Sequence, residues 1–189
     1  MRIAVILGST RPNRVGAQVA EWVCGVAAER GDAEFELVDL RDHPLPYLDE
    51  PVPPMFGQYQ NEHTKAWGRL IESFDGYVII TPEYNNSLPA VLKNALDFTF
   101  TEWRTKALGV VSYGSAGGTG AAAQLRSFAG LLGMADVPRQ VFLSLHADFE
   151  SFRTLKPGDR AVAGLAGMLD DVVAWSNALA PLRAAAVAS

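Results

Sequence analysis

The sequence predicts a three-layer α/β fold in which a parallel sheet of five strands is covered by helices on both faces. Two observations support this prediction. Short apolar runs, typical of strands, alternate with amphipathic helical patterns along the whole chain. Several of these runs are continuously apolar and rich in β-branched residues, as expected of parallel strands that are buried on both sides.

These two patterns place the individual elements. Strands are predicted at residues 3–7, 35–40, 77–80, 108–111 and 140–145. Helices, in which apolar residues recur at intervals of three and four, are predicted at residues 19–27, 66–74, 88–96, 125–132 and 165–176. The Ala-rich segment after Pro181 is expected to fray. The proline-rich residues 44–61 are expected to form a long loop without regular structure.

The composition excludes several classes of protein. The 189 residues suit one domain spanning residues 1–189, and 49% apolar with 20% charged residues is ordinary for a globular protein. A net charge of −5 without a Lys/Arg block predicts no nucleic-acid partner, and no apolar stretch is long enough for a membrane. The single cysteine, Cys24, excludes an internal disulfide, and the three scattered histidines predict no metal site. Because the start lacks a signal-peptide pattern, we expect a cytoplasmic protein.

Ligands of open parallel sheets bind beyond the carboxyl ends of the strands, where three loops have unusual sequences. The first, residues 8–16, reads Gly-Ser-Thr-Arg-Pro-Asn-Arg-Val-Gly. Hydroxyls, guanidinium groups and the N–H groups of a helix N-terminus suit a phosphate. The spacing fits neither the dinucleotide-binding motif nor the P-loop, so the side chains favour the phosphomonoester of a mononucleotide. The alternative is a surface turn with two solvated arginines.

The other two loops follow the third and fourth strands. Residues 81–89, Thr-Pro-Glu-Tyr-Asn-Asn-Ser-Leu-Pro, form a rigid and partly aromatic wall. Ser87 is expected to cap the next helix and Pro89 to lie in its first turn. Residues 112–120, Ser-Tyr-Gly-Ser-Ala-Gly-Gly-Thr-Gly, contain four glycines that permit close approach of a ligand. Taken alone, residues 81–89 fit a capped turn equally well, and residues 112–120 fit a flexible helix entry equally well.

Together these motifs resemble those of the NADPH-dependent FMN reductase family, flavodoxin-like proteins that include quinone, azo-dye and chromate reductases. Residues 92–97, Leu-Lys-Asn-Ala-Leu-Asp, are a further matching motif, and the resemblance extends over residues 2–178. It implies a flavodoxin-like sheet with strand order 2-1-3-4-5, bound FMN, and NADPH or NADH as co-substrate.

The resemblance also implies which residues contact FMN. Ser9, Arg11 and the backbone of residues 13–16 are expected to hold the phosphate, although Arg14 stands where many relatives carry a serine. Residues 82–85 are expected to line the ring, and the glycine loop to approach its pyrimidine edge. The candidate cofactor-binding residues are Ser9, Arg11, Asn13, Arg14, Val15, Gly16, Pro82, Glu83, Tyr84, Asn85, Ser112, Tyr113, Gly114 and Gly117.

The resemblance further implies self-association, because family members are typically dimers or tetramers whose flavin cleft is partly walled by the partner. Tyr47, Phe56 and Tyr59 are candidates for that wall or for a lid, with plain packing of the loop as the alternative. Residues Lys93, Asn94 and Asp97 are expected to orient a helix or a subunit contact.

The activity implied is that of an NAD(P)H-dependent oxidoreductase that reduces quinones, free flavin or similar small acceptors. The nicotinamide is expected to transfer hydride to flavin N5 and to leave before the acceptor binds, which gives ping-pong kinetics. Backbone N–H groups of residues 114–118 are expected to stabilise the charge near flavin N1, and no catalytic side chain is required. The alternatives are an FMN-binding electron carrier of the flavodoxin kind without NAD(P)H turnover, and a binding module that has lost its flavin.

Overall fold

A computed structural model describes residues 1–187 and contains the five predicted strands and five predicted helices. The strands are β1 Arg2–Leu7, β2 Glu34–Asp39, β3 Gly76–Pro82, β4 Ala107–Gly114 and β5 Ala135–Ser144. The helices are α1 Gly16–Ala28, α2 Glu62–Glu72, α3 Ala90–Asp97, α4 Thr119–Leu131 and α5 Asp159–Val187. A short antiparallel hairpin, formed by β6 Phe149–Glu150 and β7 Thr154–Leu155, lies between β5 and α5.

The five long strands form one parallel sheet in the order β2-β1-β3-β4-β5. This confirms the flavodoxin-like order. The order reverses between β1 and β3, so the carboxyl ends of β1, β3 and β4 lie side by side at the place where such sheets bind ligands. Every residue of β3 is buried, which explains its continuous apolar sequence.

Helices cover both faces of this sheet. On one face α1 and α5 pack through residues such as Val23 and Leu165. On the other face α2, α3 and α4 pack through residues such as Trp67 and Leu92. Within residues 1–187, no helix combines the length and apolar character needed to cross a membrane.

The last helix is longer than the sequence predicted. It runs over Asp159–Val187 and continues through Pro181, so the expected fraying is wrong for residues 182–187. Residues 188–189, to which that expectation also applied, lie outside the described part of the chain. A proline removes one backbone donor from a helix, but contacts further along hold this end against the sheet. Arg183 donates to the carboxylate of Asp75 at 2.9 Å and to the carbonyl of Thr105 at 3.2 Å.

The proline-rich residues 44–61 form a loop that is hydrogen-bonded to α3. It includes a single 3₁₀ turn at Pro54–Phe56, which the sequence analysis did not predict. The side chain of Asn94 in α3 donates to the carbonyl of Pro46 at 2.7 Å and accepts from the N–H of Leu48 at 3.1 Å. The predicted orienting role of this asparagine therefore includes fastening the loop to α3.

A buried lysine lies at the opposite edge of the sheet from the three loops. The Lys106 ammonium donates to the carbonyls of Ile71 and Glu72 at the end of α2 and to the Tyr77 hydroxyl, at 3.0 to 3.1 Å. Burial lowers the pKa of Lys106 to about 8, although the nearby Glu72 opposes that change. All three ammonium protons have acceptors, so this charge has a structural role.

Candidate cofactor site

Three loops meet at the carboxyl edge of the sheet, as the strand order requires. They are the first loop (residues 8–15, between β1 and α1), the second loop (residues 83–89, between β3 and α3) and the third loop (residues 115–118, between β4 and α4). The hydroxyls of Ser9 and Tyr84 lie 3.1 Å apart. The N–H of Glu83 donates to the carbonyl of Tyr113 at 3.0 Å. The structure thus brings together candidate residues that are distant in sequence.

The first loop leads into a helix N-terminus with free donors. Asn13 has a left-handed backbone with φ of 54°, and α1 begins three residues later at Gly16. Within residues 1–187, the N–H groups of Gly16 and Ala17 donate to no protein acceptor. Such N–H groups carry partial positive charge and bind anions well.

Tyr113, near the end of β4, places its hydroxyl against this helix start. The residue is only 5% exposed, and its hydroxyl oxygen has no hydrogen-bond partner among the residues that the structure describes. A Cβ atom on Gly16 would overlap this oxygen, so the contact requires glycine there. Burial raises the pKa of the Tyr113 phenol, which keeps the hydroxyl protonated, although the Ser9 hydroxyl lies near enough to oppose that change without meeting the geometry of a hydrogen bond. Because this buried donor lies at the ligand-binding edge of the sheet, it is available to donate to a ligand atom.

Arg14 is engaged in a buried ion pair at the base of the first loop. Its guanidinium donates to both carboxylate oxygens of Asp39, at the end of β2, and to the carbonyl of Ser9. The two side chains of the ion pair are 6% and 15% exposed. Burial alone would raise the pKa of the Asp39 carboxyl, but hydrogen bonds from Arg14 and from the N–H of Arg41, with their positive charges, lower it overall. Arg14 therefore braces the first loop against β2.

The second loop is a tight turn that contacts α4. Residues 85 and 86 both have left-handed backbones, and Tyr84 and Ser87 exchange two backbone hydrogen bonds, as in a type I′ turn. The prediction that Ser87 caps α3 is wrong, because Pro89 occupies the cap position and no side chain caps the helix. Ser87 instead donates its hydroxyl proton to the side-chain oxygen of Gln124 at 2.7 Å.

Glu83 joins the second loop to the third. One oxygen of its carboxylate accepts from the N–H groups of Gly120 at 2.6 Å and Ala121 at 3.3 Å. These are first-turn donors of α4, where a negative charge is favoured by the helix dipole. The carboxylate of this candidate residue is thus occupied by α4. Sequence reasoning missed this role, because no local spacing connects a glutamate to a helix that starts so much later.

The third loop is built from closely packed glycines. Gly117 and Gly118 have φ of 76° and 75°, and a Cβ on Gly118 would lie 2.8 Å from the Cβ of Ser112. The Ser112 hydroxyl donates to the Gly117 carbonyl at 2.7 Å and so fixes the loop. In the part of the chain that the structure describes, the N–H groups of residues 115 and 116 have no protein acceptor. They are available to an electron-rich group of a ligand.

The aromatic candidates of residues 44–61 have different environments. Tyr59 donates its hydroxyl proton to Glu102 at 2.9 Å, so it anchors the loop. Tyr47 and Phe56 are 89% and 61% exposed.

Lys93 pairs with Asp97 one turn along α3.

Comparison with known proteins identifies the family. The family model described as NADPH-dependent FMN reductase matches residues 1–148. The chain belongs to this family. Its sheet order β2-β1-β3-β4-β5 is flavodoxin-like.

Individual proteins and a solved structure are similar to this chain. An NAD(P)H-dependent FMN reductase of Schizosaccharomyces pombe is 40% identical over 186 residues, covering 97% of this chain and 86% of that protein. A 2-hydroxy-1,4-benzoquinone reductase of a Burkholderia species is 36% identical over 103 residues, 54% of this chain and 52% of that protein. The solved structure of FerB, a flavoenzyme NAD(P)H:(acceptor) oxidoreductase from Paracoccus denitrificans, covers 93% of this chain and 97% of its own, with a TM-score of 0.72 and 25% identity. The chain is an oxidoreductase of the FMN reductase family.

The match to the FMN reductase family ends just before the β6–β7 hairpin. Sequence reasoning also missed this hairpin, because its strands are only two residues long and carry no alternating apolar pattern. Within residues 1–187, no group of three or more His, Cys, Asp or Glu side chains is placed to share a metal ion.

Proposed function

We propose that this member of the FMN reductase family binds FMN where the three loops meet and uses NAD(P)H to reduce a quinone, free flavin or a similar small acceptor. The observation that carries the proposal is the unpartnered hydroxyl of Tyr113 beside the free first-turn N–H groups of α1. A phosphate supplies the acceptors that these donors lack, and the helix dipole favours its charge. The activities named for the relatives support the reaction class.

We place the phosphate at Ser9, Arg11 and the N–H groups of residues 13–16, and we add Tyr113 to that set. Ser9 is fully buried, and its hydroxyl can donate to phosphate while accepting from Tyr84. The guanidinium of Arg11 has no carboxylate partner among the described residues. A free guanidinium, a buried phenol and helix N–H groups together suit a phosphomonoester with up to two charges.

Two of the candidate residues act by positioning others. Arg14 braces the first loop through its ion pair with Asp39, so we do not assign it to the phosphate. Glu83 holds the second loop against the start of α4 through Gly120, and its carboxylate is therefore not assigned to the ring. Both roles supply the rigidity that a preorganised site needs.

We place the ring of FMN between the second and third loops. Tyr84 is 38% exposed at this edge, and the free N–H groups of residues 115–116 lie on the neighbouring loop. These donors support our assignment of the pyrimidine edge, where negative charge gathers on reduction, to the third loop. The residues assigned to the ring are Pro82, Tyr84, Asn85, Gly114 and Gly117.

FMN held by these loops would supply the redox chemistry between NAD(P)H and the acceptor. The chain holds the phosphate, orients the ring and provides backbone donors, and we assign no acid–base residue. We expect ping-pong kinetics, with co-substrate and acceptor using the same site in turn.

The test is anaerobic mixing of the flavin-loaded protein with NADPH or NADH, followed by addition of a quinone. We expect at least one of the two nucleotides to bleach the flavin colour, and the quinone to restore it. An electron carrier of the flavodoxin kind would bind FMN but stay coloured with both nucleotides. A module without flavin would stay colourless when FMN is added. Either result would refute the reductase proposal.

We also propose that the protein self-associates as a dimer or tetramer in the cytoplasm, where NAD(P)H is available. Support comes from exposed apolar side chains beside a cavity of about 400 Å³ lined by the proline-rich loop, α3 and α4. Met55, Phe56 and Leu131 there are 58%, 61% and 75% exposed, and a second copy of the chain would cover them. Sedimentation of the native protein beside the Leu131→Glu variant tests this, because a monomeric native protein would contradict it.

A further inference from the structure

A second polar cavity lies beside the first loop. Its volume is about 680 Å³, which is within the range of small-molecule sites. One side is formed by the first loop and the start of α1, and the other by the turn of the β6–β7 hairpin. The lining residues are Arg11, Asn13, Val15, Gln18, Ser151, Phe152 and Arg153.

The residues that follow the turn of the hairpin are fastened to the start of α1 by one side chain, that of Gln18. The side-chain amide of Gln18 donates to the carbonyl of Arg153 at 2.7 Å and accepts from the N–H of Leu155 at 2.9 Å. At the base of the hairpin, the ring of Phe149 lies 6.4 Å from the ring of Tyr113. The backbone of Arg153 is therefore held by Gln18, which lies two residues after Gly16, the last residue of the candidate phosphate site.

The turn itself has an uncommon backbone. Ser151 and Phe152 have φ of 51° and 59°, and the N–H of Arg153 closes the turn on the carbonyl of Glu150 at 3.0 Å. Two consecutive left-handed residues without glycine are unfavourable, since glycine and asparagine normally occupy these positions. The tight turn limits where the next residue, Arg153, can lie.

The cavity contains two arginines whose charge is not neutralised. In residues 1–187, neither Arg11 nor Arg153 has a carboxylate within ion-pair distance. Two nearby cations have carboxylate partners: Lys156 on the same hairpin pairs with Glu150 at 3.0 Å, and Arg14 on the first loop pairs with Asp39. A third, Arg41, donates to the carbonyl of Arg11 at 3.1 Å and adds positive charge beside the cavity. Arg11 and Arg153 both line this cavity, and two arginines without carboxylate partners give it a positive potential that favours an anion.

We infer that Arg153 and Arg11 form a two-arginine clamp for a phosphomonoester dianion. Arginine is the side chain best suited to this group, because its planar donors match phosphate oxygens. This inference rests on the proposed function, which supplies two such ligands: the 5′-phosphate of FMN and the 2′-phosphate of NADPH. Through Arg153, the hairpin then contributes a phosphate-binding residue that lies beyond the part of the chain matched by the family model.

The test compares Arg153→Gln with Arg160→Gln. Arg160 is also exposed and has no carboxylate partner in the described part of the chain, so the control removes the same charge outside the cavity. The dissociation constants of FMN and riboflavin are measured on the flavin-free proteins by fluorescence titration. The KM values of NADPH and NADH are measured on the loaded proteins. Binding of 2′,5′-ADP and of adenosine to the flavin-free proteins is measured by calorimetry.

The ligand is identified by which of these constants changes. If the clamp holds the FMN phosphate, Arg153→Gln weakens FMN binding at least tenfold and leaves riboflavin within twofold. If it holds the nucleotide phosphate, the KM for NADPH and the dissociation constant of 2′,5′-ADP rise at least tenfold, while those of NADH and adenosine stay within twofold. If all constants match those of Arg160→Gln, the clamp is refuted. A native protein that binds no flavin refutes the proposed function instead, and 2′,5′-ADP still tests the clamp.

Discussion

Replacement of Tyr113 by phenylalanine tests the candidate phosphate site most directly, because it removes one oxygen and preserves the shape of the side chain. In the flavin-free protein that oxygen is buried without a partner, and such a hydroxyl costs about 1 to 3 kcal/mol. Tyr113→Phe should therefore raise the free energy of unfolding of the flavin-free protein by about 1 kcal/mol or more.

The same substitution should weaken FMN binding. A hydrogen bond from a hydroxyl to a charged phosphate contributes about 1.5 to 3 kcal/mol. Since each 1.4 kcal/mol is a factor of about ten, the dissociation constant of FMN should rise by about 10- to 150-fold. A variant that is more stable without its cofactor and binds that cofactor less well is the signature of a donor reserved for a ligand.

Tyr77→Phe is the matched control. Tyr77 is equally buried, but its hydroxyl donates to the carbonyls of Ile71 and Glu102 and accepts from Lys106. Its loss should lower stability by about 1 to 2 kcal/mol and leave FMN affinity unchanged. Urea unfolding of the flavin-free proteins and fluorescence titration with FMN measure both quantities. The reasoning fails if Tyr113→Phe loses stability as the control does and binds FMN like the native protein.

Three further predictions concern groups around and away from the site. The charged form of Lys106 is disfavoured by burial, so the unfolded chain binds more protons between pH 8 and about 10.4. The free energy of unfolding of the native protein, measured in urea against that of Lys106→Met, should therefore rise by about 2 kcal/mol from pH 7 to pH 10. A difference that does not change with pH would contradict the buried charge. Arg14→Gln leaves the Asp39 carboxylate buried without its partner and should cost about 3 kcal/mol of stability; adding Asp39→Asn should recover part of that loss, and no recovery would argue against the ion pair. Gly16→Ala should weaken FMN binding in fluorescence titration, because its Cβ overlaps the Tyr113 hydroxyl. Adding Tyr113→Phe should relieve only part of that overlap, since the Cβ would still lie 3.1 Å from Leu7 Cδ1.

The strands and the layer order were predictable because their signals are local. A strand buried on both faces needs an unbroken apolar run, and the central strands carry such runs. The end of α5 was not predictable in this way. The local sequence contains Pro181, but the contact that holds the helix end joins Arg183 to Asp75, which lies far away in the chain.

The positions of the three loops were also predictable, whereas the roles of their side chains were only partly so. Loop composition identified hydroxyls, arginines and glycines but not which of them already have partners. Arg14 and Glu83 were both candidates for contact with FMN. In the structure Arg14 pairs with Asp39, and the Glu83 carboxylate accepts from backbone N–H groups at the start of α4. Arg153 was absent from the candidates, since its hairpin gives no periodic signal.

By itself, therefore, the sequence determined the elements, their alternation and the three loops that carry chemistry, because hydrophobic periodicity and glycine content act over a few neighbouring residues. Only the tertiary structure decided which polar groups remain free for a ligand. That property depends on contacts between residues distant along the chain. Among residues 1–187, those contacts leave the Tyr113 hydroxyl without a hydrogen-bond partner and the Arg11 guanidinium without a carboxylate partner, and they give a carboxylate partner to Arg14. A donor is available for binding only when the folded chain has not already satisfied it.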